Sequence, residues 1–541
     1  MATLSFSEGT DFVPTPRETK QLLPNLIDGM ARVRPQALYA EIPVSPTTYE
    51  PGYRKITYAT LANAINGVAW WLHKELGYGK NHETLAYIGP NDLGYVFMIL
   101  GAVKAGYKLL SVSPRNTVAD HISLFKATEC RVLLTPSSAR SPTVAVIREN
   151  FALQALDSPS VDKLLDDSYA HYPFPKAFAT ARGEPLLVLH TSGTTDHTSL
   201  FSRVTSADVS QQSGNYFVTL FDAIVNQTTV ITALAGAVPS AQLVVDGLKH
   251  VQADSVILVP PYMEQVAKNP EMLNFITNNV KTVAYGGGDI SELAGDAFAS
   301  RCRLFNFNGS TETASYPILR SSGRYPFEDW KYIHPHPKIG LEFRPSIQGL
   351  FEAVMVKHSA FEEEQPVFKI FPHLEEYPTK DLFAPHPTKP NLWAFQSRAD
   401  DTIVFKPGYM CNPLTFEQHM SQHPDVQVVL MAGTGRFQPA LLIELASKGS
   451  LSTLSNQERT RQLWPIIEEA NKMYKTGARV SRSHVLFTDK QKPMLRAGKG
   501  TVQRAPTLKL YKDALDALYS QEGDAGPGND MALPVFGSVH V

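Results

Sequence analysis

Within residues 304–317, Leu-Phe-Asn-Phe-Asn-Gly-Ser-Thr-Glu-Thr-Ala-Ser-Tyr-Pro, the central run Asn308, Gly309, Ser310, Thr311, Glu312 gathers amides, hydroxyls and one carboxylate. Hydroxyls and amides suit phosphate oxygens. A single carboxylate beside them suits Mg²⁺, a hard cation that takes one or two carboxylates and fills its shell from substrate phosphates. Upstream, 280–289 is an apolar run through Tyr285 that ends in Gly286, Gly287 and Gly288. A third stretch, 186–195, runs from Leu-Leu-Val-Leu into His190, Thr191, Ser192, Gly193 and Thr194, small and hydroxyl-bearing residues that let a backbone approach a phosphate closely. Together these segments could bind and orient a nucleoside phosphate. Each could also be a plain polar turn closing a β-α-β unit.

A site of this kind needs strands that deliver their C-terminal ends to one edge of a sheet. The pattern supplies them: 85–90, 107–112 and 132–135 read as buried strands, alternating with helical patterns at 57–72, 92–105 and 118–128, which implies parallel β-α-β units. Thr57 is placed to cap the first helix, and Trp70 and Trp71 read as core. Residues 142–172 read as irregular and peripheral, with a solvated acidic patch at 162–167. Strands are expected at 230–233 and 255–259 and helices at 241–251 and 261–278. Short alternating strands are expected over 339–372. Beyond these, 425–445 reads as strand, turn and strand, 458–474 as a helix and 483–487 as a strand, an α+β pattern.

The chain has 541 residues, more than one hydrophobic core supports, so several domains are expected. A formal charge of −2 gives no basic field, which argues against nucleic acid or an anionic membrane surface as the main partner. Cys130, Cys302 and Cys411 are far apart and lack metal-ligand spacing. Residues 1–16 lack the apolar core of a signal peptide, and no apolar run approaches the ~20 residues of a membrane span. A cytoplasmic setting and small-molecule partners are expected.

Four further phrases carry a resemblance. They are Tyr-Pro-Thr-Lys-Asp-Leu-Phe-Ala-Pro-His-Pro from Tyr377, Arg-Ala-Asp-Asp-Thr-Ile-Val-Phe from Arg398, Gly-Arg-Phe-Gln-Pro-Ala-Leu-Leu-Ile from Gly435, and Lys-Pro-Met-Leu-Arg-Ala-Gly-Lys-Gly-Thr-Val-Gln-Arg from Lys492. With the segments above, and in this order, they resemble the adenylate-forming (AMP-binding) superfamily over 31–519, most closely the adenylation domains of fungal peptide-synthetase-like carboxylic acid reductases. The resemblance implies an α/β fold with a large N-terminal domain (1–398) of parallel sheets, flanking helices and a small β-subdomain. A mobile α+β C-terminal domain (399–520) and a flexible tail (521–541) follow.

It implies ATP and Mg²⁺, a small carboxylic acid activated to an acyl-adenylate in fungal secondary metabolism, and a thiol of CoA or of a separate carrier protein as acceptor, since no carrier or reductase phrase follows 519. Residue by residue, it implies Asp381 on the ribose hydroxyls, Arg398 on ribose or phosphate, Thr311 on phosphate, Glu312 on the metal, and Tyr285 to Gly288 along adenine and the acid. His190 to Thr194 would form the phosphate loop, and Lys499 would bridge the carboxylate and the α-phosphate. Asp400 and Asp401 stand where the family hinges its C-terminal domain, or form a solvated acidic pair.

The chain also departs from the family. After Thr195 it continues Asp196-His197-Thr198 where relatives place a Gly and a Lys, and the core is shortened near 196–216, through a true loss or a skipped exon. A second reading therefore stands beside the first: a repurposed scaffold that binds a ligand or partner without adenylating.

Overall fold

The computed structural model describes residues 21–113, 116–136, 141–190, 200–205, 220, 223–237, 239–310, 312–319, 327–406, 410–447, 449–474, 478–496 and 501–520. A six-stranded sheet runs in the order Gln154–Asp157, Val132–Thr135, Thr84–Tyr87, Lys108–Ser111, Pro185–His190, Leu200–Thr205. Its first five strands are parallel and the last pair is antiparallel. Thr84–Tyr87 is buried at every residue, as a parallel strand covered by helices on both faces must be. The Thr57 hydroxyl accepts from the Thr60 amide at 3.2 Å and starts helix Tyr58–Leu76. That helix crosses Gly94–Lys104 so closely that a Cβ on Gly101 would lie 2.5 Å from Val68.

Two expectations change here. Residues 142–172 are not irregular: Pro142–Asn150 and Val161–Asp166 are helices capped by Ser141 and Ser160, and Gln154–Asp157 is an edge strand. These elements are too short for periodicity to stand out. Trp70 is not core; it is 39% exposed, its indole N–H donates to the Ala170 carbonyl at 2.9 Å, and its ring meets Tyr172 edge-on. The shortened region near 196–216 holds the strand Leu200–Thr205, which returns antiparallel along Pro185–His190.

A second, three-stranded parallel sheet consists of Ser255–Leu258, Thr282–Gly286 and Arg303–Phe307, backed by the helices Pro260–Ala267, Pro270–Asn279 and Glu292–Ala299. The β-subdomain is a five-stranded antiparallel sheet in the order Tyr332–Ile333, Trp393–Arg398, Glu376–Pro385, Phe351–Val356, Leu341–Pro345. The C-terminal part packs Val426–Ala432, Ala440–Leu445 and Val485–Phe487 against Pro413–Met420 and Asn456–Lys472 around its own core. Large and small parts meet where the Lys268 ammonium donates to the Ser421 carbonyl and the Asn412 amide donates to the Gln396 carbonyl at 3.2 Å.

Candidate nucleotide site

Strands Thr282–Gly286 and Arg303–Phe307 end level, with Gly286 paired to Phe307. A Cβ on Gly286 would lie 2.9 Å from the Phe307 carbonyl oxygen, and Gly287 has φ +79°, a conformation that favours glycine. Only this residue type lets the two strand ends approach and turn together. Tyr285 corrects an expectation: its ring is wholly buried, edge-on to Trp330 in the core. It cannot stack on a base here, so the strand end offers backbone rather than ring.

Beyond Phe307 the chain forms a small hairpin in which Gly309–Ser310 pairs with Ala314–Ser315. Gly309 has φ +141°, and a Cβ there would fall 1.9 Å from the Ala314 carbonyl oxygen. The Ser310 amide donates to Thr313 Oγ1 at 3.0 Å, the Thr313 amide donates to Ser310 Oγ at 3.2 Å, and the Tyr316 amide donates to the Asn308 carbonyl at 2.7 Å. These bonds fix a tight tip carrying a half-exposed Glu312. Thr311 lies outside the described residues.

Asp381 is aimed by a bulge in Glu376–Pro385. The register against Phe351–Val356 shifts between Glu352 and Val354, Lys380 adopts φ +64°, and Thr379 Oγ1 both donates to the Ala353 carbonyl at 2.7 Å and accepts the Asp381 amide at 3.1 Å. On the next strand Arg398 stands opposite, its Nη1 donating to Asp381 Oδ1 at 3.2 Å. The same guanidinium forks onto Asp400, Nε to Oδ1 at 2.9 Å and Nη2 to Oδ2 at 3.0 Å.

Burial, with Asp400, Glu312 and Asp401 nearby, pushes the Asp381 carboxyl up to about 7, and Arg398 only partly opposes this. Burial raises the Tyr377 hydroxyl and Glu312 adds to it, so Glu312, Tyr377 and Asp381 share one locality. Tyr316 is drawn into the same field: burial and then Asp381 raise its hydroxyl.

Asn308 Nδ2, shut off from solvent, has no hydrogen-bond partner among the described residues, and the buried Tyr316 hydroxyl lies beside the Thr313 and Thr379 side chains. Buried donors are nearly always satisfied, and leaving one unmade costs about 1–3 kcal/mol, so an orphan beside a strand-end turn suits a ligand rich in hydroxyl and phosphate oxygens. A nucleotide fits this set. Among the described residues no three His, Cys, Asp or Glu side chains gather to hold a metal by themselves.

His190 ends its strand in the six-stranded sheet, where its Nε2 accepts the Ser113 amide at 3.4 Å. Residues 191–194 and Lys499 lie outside the described residues. The positions flanking Lys499 are placed: Arg496 bridges Val502 and pairs with Glu444, and Thr501 Cγ2 lies 4.0 Å from where a Gly288 Cβ would sit. Thr501 of the C-terminal part thus lies beside Gly288. Nearby, partly buried Arg504 has its Nη2 against both Glu417 oxygens at 2.6 and 2.5 Å, its Nη1 donating to the Met431 carbonyl at 2.9 Å, and its Nε 3.5 Å from Asp401.

Sequence reading missed Tyr316, Arg504 and the capture of Arg398 by Asp400. An aromatic closing the polar run was the available signal for Tyr316. For the other two nothing local pointed to the partner.

Residues 37–197 match the AMP-binding enzyme family, and residues 400–523 match the AMP-binding enzyme C-terminal domain. The chain is 29% identical to a carboxylic acid reductase of Neurospora crassa over 94% of its own length and 52% of that protein. It is 26% identical to an adenylate-forming reductase of Serpula lacrymans over 84% of its length and 46% of the relative. The chain therefore spans about half the length of these curated relatives. In fold it is similar to an anthranilate CoA ligase solved with anthranoyl-AMP, at TM-score 0.67 and 14% identity, covering 92% of this chain and 98% of the other.

Proposed function

Since the chain belongs to the adenylate-forming superfamily, with an AMP-binding enzyme domain followed by its C-terminal domain, we propose that it activates a carboxylic acid with ATP to an acyl-adenylate and passes the acyl group to a thiol of CoA or of a separate carrier protein. A role in fungal secondary metabolism is part of the proposal. The observation that carries it is the convergence of the Asp381–Arg398 pair, the Glu312 hairpin and Asn308 Nδ2, which has no partner among the described residues, at the strand ends.

In this reading the Asp381 carboxylate accepts the ribose hydroxyls, Asn308 Nδ2 donates to the nucleotide, and the Gly286–Gly288 backbone lines the base. Glu312 would hold Mg²⁺, which when bound neutralises phosphate charge. Lys499, two residues before Thr501, would draw the acid's carboxylate and the α-phosphate together, two anions that otherwise repel. Attack of a carboxylate oxygen on the α-phosphorus forms the C–O–P link and breaks the bond to the leaving pyrophosphate. A thiol then displaces AMP from the acyl carbon. The test is acid-dependent exchange of pyrophosphate into ATP across a panel of aryl and alkyl acids, with Lys499→Ala expected to lose about 10²–10³ of the rate. Undiminished exchange in the variant removes Lys499 from the account.

A second reading, binding without adenylation, is favoured by one feature, Asp196 where the phosphate loop needs a cation or a glycine. Nucleotide binding without exchange on any acid would select it.

A further inference from the structure

We propose that Asp400 sets the charge preference of the nucleotide site by occupying the Arg398 guanidinium that an incoming phosphate would otherwise take. The proposal rests on the nucleotide reading above and deepens it. Asp400 acts through Arg398 and is a positioning residue.

The geometry is that of a direct competitor. Arg398 Nε and Nη2 form a fork-to-fork pair with the two Asp400 oxygens at 2.9 and 3.0 Å, and Nη1 is taken by Asp381 at 3.2 Å. All three guanidinium nitrogens already face carboxylate. Two parallel N–H donors are what arginine offers a phosphate, and Asp400 uses that pair. Asp400 lies two residues from Arg398, on the short 3-10 turn Ala399–Asp401, so the chain holds it there at little entropic expense.

Among the described residues, other cations offer Asp400 little. Lys380 Nζ is 4.0 Å from Asp400 on a side chain 57% exposed, and Arg504 is bound to Glu417 and faces Asp401. Among the described residues, Arg398, Arg504 and Lys380 therefore stand against Glu312, Asp381, Asp400, Asp401 and Glu417. Burial works against the Asp400 charge, yet the Arg398 hydrogen bonds hold its carboxyl below the ordinary carboxylate range. The competitor is ionised throughout the neutral range. A nucleoside approaches this locality without electrostatic opposition, whereas a nucleotide must first displace Asp400 from Arg398.

The test is calorimetric titration of AMP and of adenosine into the wild-type chain, Asp400→Asn, Asp400→Glu, Arg398→Met and the Asp400→Asn/Arg398→Met double variant, each checked for an unchanged melting profile. Asp400→Asn is expected to tighten AMP by about tenfold, the scale of one freed charge-assisted contact, and to leave adenosine unchanged. Asp400→Glu should keep the wild-type ratio of the two affinities, and the double variant should lose the gain. An AMP-to-adenosine ratio unmoved in Asp400→Asn, or a gain that survives without Arg398, overturns the inference while leaving the nucleotide reading in place. Failure of every variant and of the wild type to bind either compound overturns both.

Discussion

Asp381→Asn is the substitution whose effect on stability can be worked most fully. Burial makes the ionised carboxylate harder to keep in the folded chain than in the unfolded one, raising it from 3.8 to about 7. Between about pH 4 and 7 the folded chain therefore keeps a proton that the unfolded chain has released. Stability must fall as pH rises through that window, by about 1.4 kcal/mol per pH unit, reaching about 4 kcal/mol above it.

Asparagine cannot ionise and removes this slope, but it also weakens the 3.2 Å contact with Arg398. A net gain of about 2–4 kcal/mol over wild type is expected at pH 8, shrinking to nothing near pH 4, where both side chains are neutral. Burial also raises Asp401 and Glu417, but they are common to both proteins and largely cancel in the difference. Urea unfolding of the two proteins across this pH range is the assay. A variant less stable than wild type at pH 8, or a difference independent of pH, would refute the reasoning.

Further outcomes follow from other parts of the site. Because Asp196 and His197 stand where a phosphate loop needs donors and a cation, AMP or a non-hydrolysable acyl-adenylate analogue should bind more tightly than ATP. The loss for ATP is two or three contacts of about 1.5–3 kcal/mol each, and calorimetry showing ATP the tighter ligand would mean another group serves the β- and γ-phosphates. Gly309→Ala should destabilise the chain by about 1–3 kcal/mol and lose exchange activity, because a Cβ at φ +141° meets the Ala314 carbonyl oxygen and displaces the Glu312 tip. Unfolding and exchange assays check both effects, and an active, fully stable variant contradicts the hairpin's role.

Much of the frame is legible in the sequence because its strands are short apolar runs bounded by turns. Val132–Thr135 has the bounds expected from composition alone. The segment 142–172 was not legible, since four- to nine-residue elements show too few repeats to reveal a period. Tyr285 was misplaced although the signal was present: it lies two residues after Val283 in the same strand, so both point into the same core cluster. The Asp381–Arg398 partnership could be read only by resemblance, because seventeen residues separate them and a bulge centred on Lys380 decides where Asp381 points. No local pattern says which of several neighbouring carboxylates an arginine will choose, so Asp400 read equally well as hinge or as solvated surface.

The central claim is that a carboxylate oxygen of the acid attacks the α-phosphorus of ATP. It is tested most directly by supplying an acid labelled with ¹⁸O in its carboxyl group, trapping the acyl group with hydroxylamine, and weighing the released AMP. The account predicts AMP carrying one ¹⁸O atom, formed together with pyrophosphate and the hydroxamate. Unlabelled AMP, or ADP and phosphate in place of AMP and pyrophosphate, would contradict it.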